Sequence, residues 1–187
     1  MKKIIFLLLM CSQAFGMHYV IDRDGTVRDT GRGERGCVLG SSQLYLENGQ
    51  KVRIDSLKGS DKLMSLGAES VIYQRVSGFE KNKVIRIETE SGKNIVSTQN
   101  HPFYREGILY KASEFKKGDT IETIDGEEVI IKMRSYFTNE KVYNVILAHP
   151  DVDNLRAEPF AGLEAKDHKL ILNGFVSGDL LIQKVLE

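Results

Sequence analysis

Ile54-Asp55-Ser56-Leu57-Lys58-Gly59-Ser60-Asp61-Lys62-Leu63 lines up without a gap on Ala112-Ser113-Glu114-Phe115-Lys116-Lys117-Gly118-Asp119-Thr120-Ile121, an offset of 58 residues throughout. Each copy runs from a small turn with an apolar anchor, through Lys and Gly, to Asp and the start of a strand. Two copies of one β subdomain, related by a pseudo-two-fold, leave such an echo. Lys-Gly-Asp turns are common, so coincidence is the competing explanation.

The surroundings read as strands. Runs 43–46 and 51–54 flank Asn48-Gly49, the strongest short hairpin signal. Further β-branched and aromatic runs lie at 71–76, 83–88, 94–98, 120–124, 128–133, 142–147 and 169–172. Ser91-Gly92-Lys93, Asp125-Gly126 and Asn173-Gly174 supply turns between them. Helical periodicity is confined to 54–58 and 111–116. The expectation is an all-β domain of many short strands, with 149–166 as a surface excursion.

Met1-Lys2-Lys3, an apolar run over 4–10 and Ala14-Phe15-Gly16 read as a secretory signal cleaved after Gly16. The apolar run is too short for a permanent membrane helix, and no later segment is long and apolar enough. Cys11 offers a lipid-attachment reading, weakened by the bulky Met10 before it. The expected chain order is a signal at 1–16, a short flexible charged and glycine-rich segment at 17–36, the domain at 37–182 and a tail at 183–187. The protein is expected outside the cytoplasm of a bacterium, secreted or periplasmic, without a stable membrane anchor. With 26 basic and 26 acidic residues, it has no charge excess to recruit nucleic acid. Its histidines and cysteines show no metal-ligand spacing, so neither metal nor cofactor is expected.

After signal removal Cys37 is the sole cysteine, and it follows Gly36. Further on comes Thr98-Gln99-Asn100-His101-Pro102. A cysteine attacks the carbonyl before it when that carbonyl is reachable, the leaving amine finds a proton, and the oxyanion finds donors. Gly36 is the smallest preceding residue, a histidine titrates near neutral pH, and Thr98 and Asn100 offer hydrogen bonds. Each feature has a plainer reading. Free cysteines are usually buried small hydrophobes, although a place after a glycine-rich stretch argues against burial. His-Pro can end a strand, Thr98 suits any strand, and Asn100 any turn. Asp167 and His168 are candidates to assist, and they equally open the last strand. Asn173-Gly174 fits a two-residue hairpin turn.

These pieces, in this order, resemble the Hint family, the Hedgehog/intein domain, from Cys37 to about Asp179. The matching blocks are Cys37 through Leu39-Gly40-Ser41 to Leu57-Lys58-Gly59, then Thr98-x-x-His101, then Lys141-Val142-Tyr143-Asn144-Val145-Ile146, and last His168 to Val176. The resemblance implies an all-β, internally duplicated Hint-type fold of two β subdomains. It also implies Cys37 as nucleophile, His101 as proton donor to the leaving amine, and Thr98 on the scissile peptide. The ending departs from the family. Where splicing inteins carry His-Asn before a Cys, Ser or Thr, this chain reads Val176-Ser177-Gly178-Asp179, with Leu180 to Glu187 after it. An apolar extension of the Hedgehog sterol-binding kind is not expected after Glu187. The expected activity is single-turnover self-cleavage at Gly36-Cys37 through a thioester, without splicing. The chain's own N-terminal segment is then the substrate, and water, a thiol or an amine the acceptor. A retained fold serving as a binding or structural module is the main rival. A multiple-turnover cysteine hydrolase ranks last, because its local signatures are missing.

Overall fold

Turn chemistry sets where the strands stop. Glu106-Gly107 and Asn173-Gly174 each place two successive residues at positive φ (52° and 74°, 52° and 90°), the backbone that closes a two-residue hairpin. The computed structural model describes residues 19–21, 26–29, 36–58, 61–64, 66–67, 69–151, 164–183 and 186. The expected signal at 1–16 and most of the expected excursion at 149–166 lie outside the described residues.

Fifteen strands are described: β1 (Tyr19–Ile21), β2 (Thr26–Asp29), β3 (Val38–Leu39), β4 (Gln43–Tyr45), β5 (Lys51–Arg53), β6 (Val71–Phe79), β7 (Val84–Thr89), β8 (Asn94–Ser97), β9 (Pro102–Arg105), β10 (Ile108–Lys111), β11 (Thr120–Thr123), β12 (Gly126–Tyr136), β13 (Lys141–Ala148), β14 (Lys169–Leu172) and β15 (Phe175–Gly178). One short helix, α1 (Leu180–Gln183), follows. The order across the sheet is β1-β2-β6-β13-β3-β8-β7-β12-β11-β15-β14-β4-β5, with β9 joined to β10 and β15. All pairings but β2 with β6 are antiparallel. The expected all-β class is what the chain adopts.

The sequence echo is structural. Its two halves form matching 3-10 turns, Ile54–Ser56 and Ala112–Glu114, each followed by a buried anchor, Leu57 or Phe115. The Asp61 carboxylate accepts the Lys58 N–H at 2.8 Å, and the Asp119 carboxylate accepts the Lys116 N–H at 3.0 Å. These turns take the place of the expected helical pieces.

The correspondence extends into the long strands. In the β6–β13 pair Ser77 faces Tyr143, and in the β12–β7 pair Ser135 faces Ile85, so moving each partner by 58 residues turns one pair into the other. The bulges coincide as well. Gln74 faces Ile146 and Ile72 faces Leu147, while Lys132 faces Glu88 and Ile130 faces Thr89. Each copy therefore gives a strand to the other, which is the pseudo-two-fold. Between the copies lies a core that includes Ile54, Ile87, Phe103, Ile121, Leu147 and Phe175, all fully buried. Burying each such side chain contributes about 1.5–3 kcal/mol.

Within the expected flexible segment at 17–36 the structure describes two strands. β1 and β2 form a hairpin, with Val20 facing Arg28. β2 lies parallel to β6, with Thr26 facing Arg75, Val27 facing Val76 and Arg28 facing Ser77. Composition pointed elsewhere because an edge strand is held largely by backbone pairing and needs little to bury.

Candidate active site at the Gly36–Cys37 peptide

β3 begins one residue after Cys37 and runs between β13 and β8, with Val38 facing both Tyr143 and Ser97. That register sets the preceding peptide against Thr98 at the end of β8 and Asn144 on β13. Thr98 grips Cys37 twice. Its Oγ1 accepts the Cys37 N–H at 2.8 Å, and its own N–H donates to the Cys37 carbonyl at 2.8 Å. Asn144 Nδ2 donates to the Gly36 carbonyl, and its Oδ1 accepts the Val145 N–H at 2.7 Å. Gln183 Oε1 accepts the Gly36 N–H at 2.7 Å. All four backbone polar groups of Gly36 and Cys37 are thus held by partners far along the chain.

Gly36 is required sterically. A Cβ there would lie 2.6 Å from His101 Cα, 2.8 Å from Gln183 Oε1 and 2.9 Å from the Asn100 carbonyl oxygen. Asn100 therefore enters the site through its backbone.

His101 is fully buried, with its ring edge-on to Phe103 at 4.9 Å. Its Nε2 lies 2.7 Å from Ser177 Oγ, which lies 2.9 Å from the Pro102 carbonyl oxygen. With the ring proton on Nε2, His101 donates to Ser177 and Ser177 donates to the Pro102 carbonyl. Nδ1 then carries a lone pair, and it has no hydrogen-bond partner of regular geometry among the described residues. Burial pushes the His101 pKa down to about 4, while the Gly36 carbonyl beside the ring works in the opposite direction. At neutral pH the imidazole is neutral. A neutral ring must take up a proton before it can pass one to the leaving amine.

Cys37 is 6 % exposed and packs with Leu39 and Val142. The argument against its burial fails because β3 draws the residue between β8 and β13. His168 and Asp179 are fully buried, with Nδ1 and Oδ2 2.9 Å apart. Asp179 also accepts the Leu147 N–H at 2.8 Å, and the Leu181 and Ile182 N–H groups at 2.9 and 3.0 Å. It thereby caps α1, the helix that presents Gln183. Asp167 is not the carboxylate partner of His168. It ends the turn Ala165–Asp167, and its carboxylate lies against Gly67.

The structure thus brings Gly36, Cys37, Thr98, the Asn100 backbone and His101 together. It adds Asn144, Ser177 and Gln183, which sequence reasoning left without a role. Asn144 did carry a signal, an amide inside the apolar run of β13. Gln183, assigned to the tail, carried none. Among the described residues no group of three His, Cys, Asp or Glu side chains is placed to hold a metal ion.

No family model matches the sequence. Among curated proteins, the DNA-directed RNA polymerase subunit Rpo1N of Methanocaldococcus jannaschii is 25% identical over 95 residues. That match takes in 46% of this chain and only 7% of the subunit's length. Similar solved structures are inteins and intein-like domains. The Ssp DnaB mini-intein variant M86 has a TM-score of 0.62 at 16% identity, covering 79% of this chain and 96% of that one. The gp41-1 intein has a TM-score of 0.60 at 15% identity, covering 77% and 98%. A bacterial intein-like domain from Clostridium thermocellum has a TM-score of 0.61 at 17% identity, covering 76% and 98%. At such identities the likeness is one of fold. The chain has the Hint fold of inteins and intein-like domains.

Proposed function

We propose that this domain cuts its own chain between Gly36 and Cys37 through a thioester at Cys37, without splicing. The observation that carries the reading is the four-point grip on Gly36 and Cys37, two bonds on the scissile peptide itself and one on each peptide beside it. Cys37 Sγ–H gives its proton to the Nδ1 lone pair of His101 as sulfur bonds to the Gly36 carbonyl carbon. The resulting oxyanion faces the Asn144 amide. Collapse breaks the carbon–nitrogen bond, and the proton on His101 passes to the Cys37 nitrogen. Gly36 is left esterified to sulfur, and Cys37 gains a free amine. Water, a thiol or an amine then displaces the sulfur. The Met1 to Gly16 pattern supports an exported protein as the setting. Asp179 supports the absence of splicing, because its carboxylate is engaged by His168 and three backbone N–H groups and offers no amide to cyclise.

Intact mass before and after dithiothreitol at neutral pH tests the proposal. Thiol-accelerated loss of everything upstream of Cys37, absent in Cys37→Ala, is expected. Trimming of Cys37→Ala at the same bond would assign the cut to a foreign protease and end the proposal.

A second reading has one observation in its favour. The Cys37 thiol is packed against Leu39 and Val142, and buried structural cysteines are inert. A retained fold without chemistry predicts an unchanged mass under every condition and slow labelling by an electrophile.

A further inference from the structure

The scissile peptide lies in a link between two strands of one sheet. β2 is docked on β6, and β3 is docked between β13 and β8. β6 and β13 lie between β2 and β3 in the strand order, so β2 and β3 are about 14 Å apart at ~4.8 Å per step. The two strands run in the same direction. Arg28, Ser77, Tyr143 and Val38 form one row across the sheet. Each strand is held by partners of its own, and neither relies on the link for its place.

We propose that the upstream segment, once cut from Cys37, stays on the domain as a noncovalent strand along the β6 edge. The reaction then nicks the protein into a two-part particle instead of releasing a peptide. This rests on the self-cleavage reading and extends it by naming where the product goes. Two features hold the segment. The first is strand addition, in which backbone hydrogen bonds to an open sheet edge supply the affinity. The second is the hold of Asn144 and Gln183 on Gly36, which lies on the upstream side of the cut. Departure would also unpair the β6 edge at Arg75, Val76 and Ser77, an exposure that sheets avoid.

The test uses the full chain after thiol-induced cleavage, measured by denaturing and by native mass spectrometry. Two masses under denaturing conditions and their sum under native conditions are expected. Two denaturing masses with only the larger piece in the native spectrum would overturn the proposal while leaving self-cleavage intact. If no cut occurs, the self-cleavage reading fails. Retention is then read on a full chain with a protease recognition site inserted between Gly31 and Arg32, nicked by that protease. A double variant, Val27→Pro with Arg28→Pro, supplies the control. Successive amides of a strand point to opposite sides, so the pair removes whichever N–H faces β6. Cutting should persist in this variant and retention should be lost. Retention equal to wild type would refute the strand-addition account.

Discussion

Replacing Asn144 by aspartate removes its donor from the Gly36 carbonyl while keeping an acceptor for the Val145 N–H. A donor already placed on the ground-state carbonyl accelerates the reaction only as far as its bond strengthens when charge develops on that oxygen. Asn144 is 1 % exposed, so little water is at hand to take its place. Loss of one such donor typically costs about 100- to 1000-fold in rate, or about 2.7–4 kcal/mol. An aspartate adds like-charge repulsion against the oxyanion and belongs at the upper end of that range. The assay follows intact mass over time in dithiothreitol, with circular dichroism confirming the fold. Asn144→Ala separates the lost donor from the added charge and should fall at the lower end. If folded Asn144→Ala and Asn144→Asp both cut within about threefold of wild type, the Asn144 amide does not face the developing charge and the mechanism is wrong.

Gly36→Ala places a methyl 2.6 Å from His101 Cα. It should destabilise by about 1–3 kcal/mol and slow cutting about 100-fold, read by urea unfolding and mass; a wild-type rate would mean the site does not enclose Gly36. Burial lowers the His101 pKa to about 4 from 6.5, so the unfolded chain binds the extra proton between those values. The stability involved is whole above about pH 6.5 and is lost as pH falls toward 4, at up to ~1.4 kcal/mol per unit. Glu128, whose pKa is lowered to about 2 despite burial by hydrogen bonds from Lys93, Ser91 and Thr89, loses its own share at lower pH. The difference between wild type and His101→Gln in urea at pH 4.5 and 7 isolates the histidine; parallel curves would assign the acid sensitivity elsewhere. Asp179→Ala removes the buried carboxylate that His168 and three backbone N–H groups share. A loss of roughly 3–5 kcal/mol is expected, and a urea midpoint near wild type would contradict it.

Local chemistry made much of this fold legible. The Lys-Gly-Asp echo, the Asn-Gly turns and the alternating runs each depend on neighbours in sequence, and each reappears as a turn or strand near its expected bounds. The exchange of strands between copies was not legible, because pairing Ser77 with Tyr143 is a long-range choice that leaves no local mark. The same division runs through the site. Thr98 and His101 share a turn and a spacing, whereas Asn144, Ser177 and Gln183 arrive singly from other elements. The burial of Cys37 leaves no local mark either, because it follows from the long-range register that sets β3 between β13 and β8.

The hydrogen bond from Gly36 to Gln183 joins residues 147 positions apart. A ribosome adding about 5–20 residues per second needs roughly 7–30 s to travel between them. Over that interval Cys37 already exists while His101, then Asn144 and last Gln183 are added, and the hold on Gly36 is complete only with Gln183. In the proposed reaction the Gly36–Cys37 bond is therefore safe until residue 183 has been made and folded against Gly36, and a nick there reports that this contact has formed.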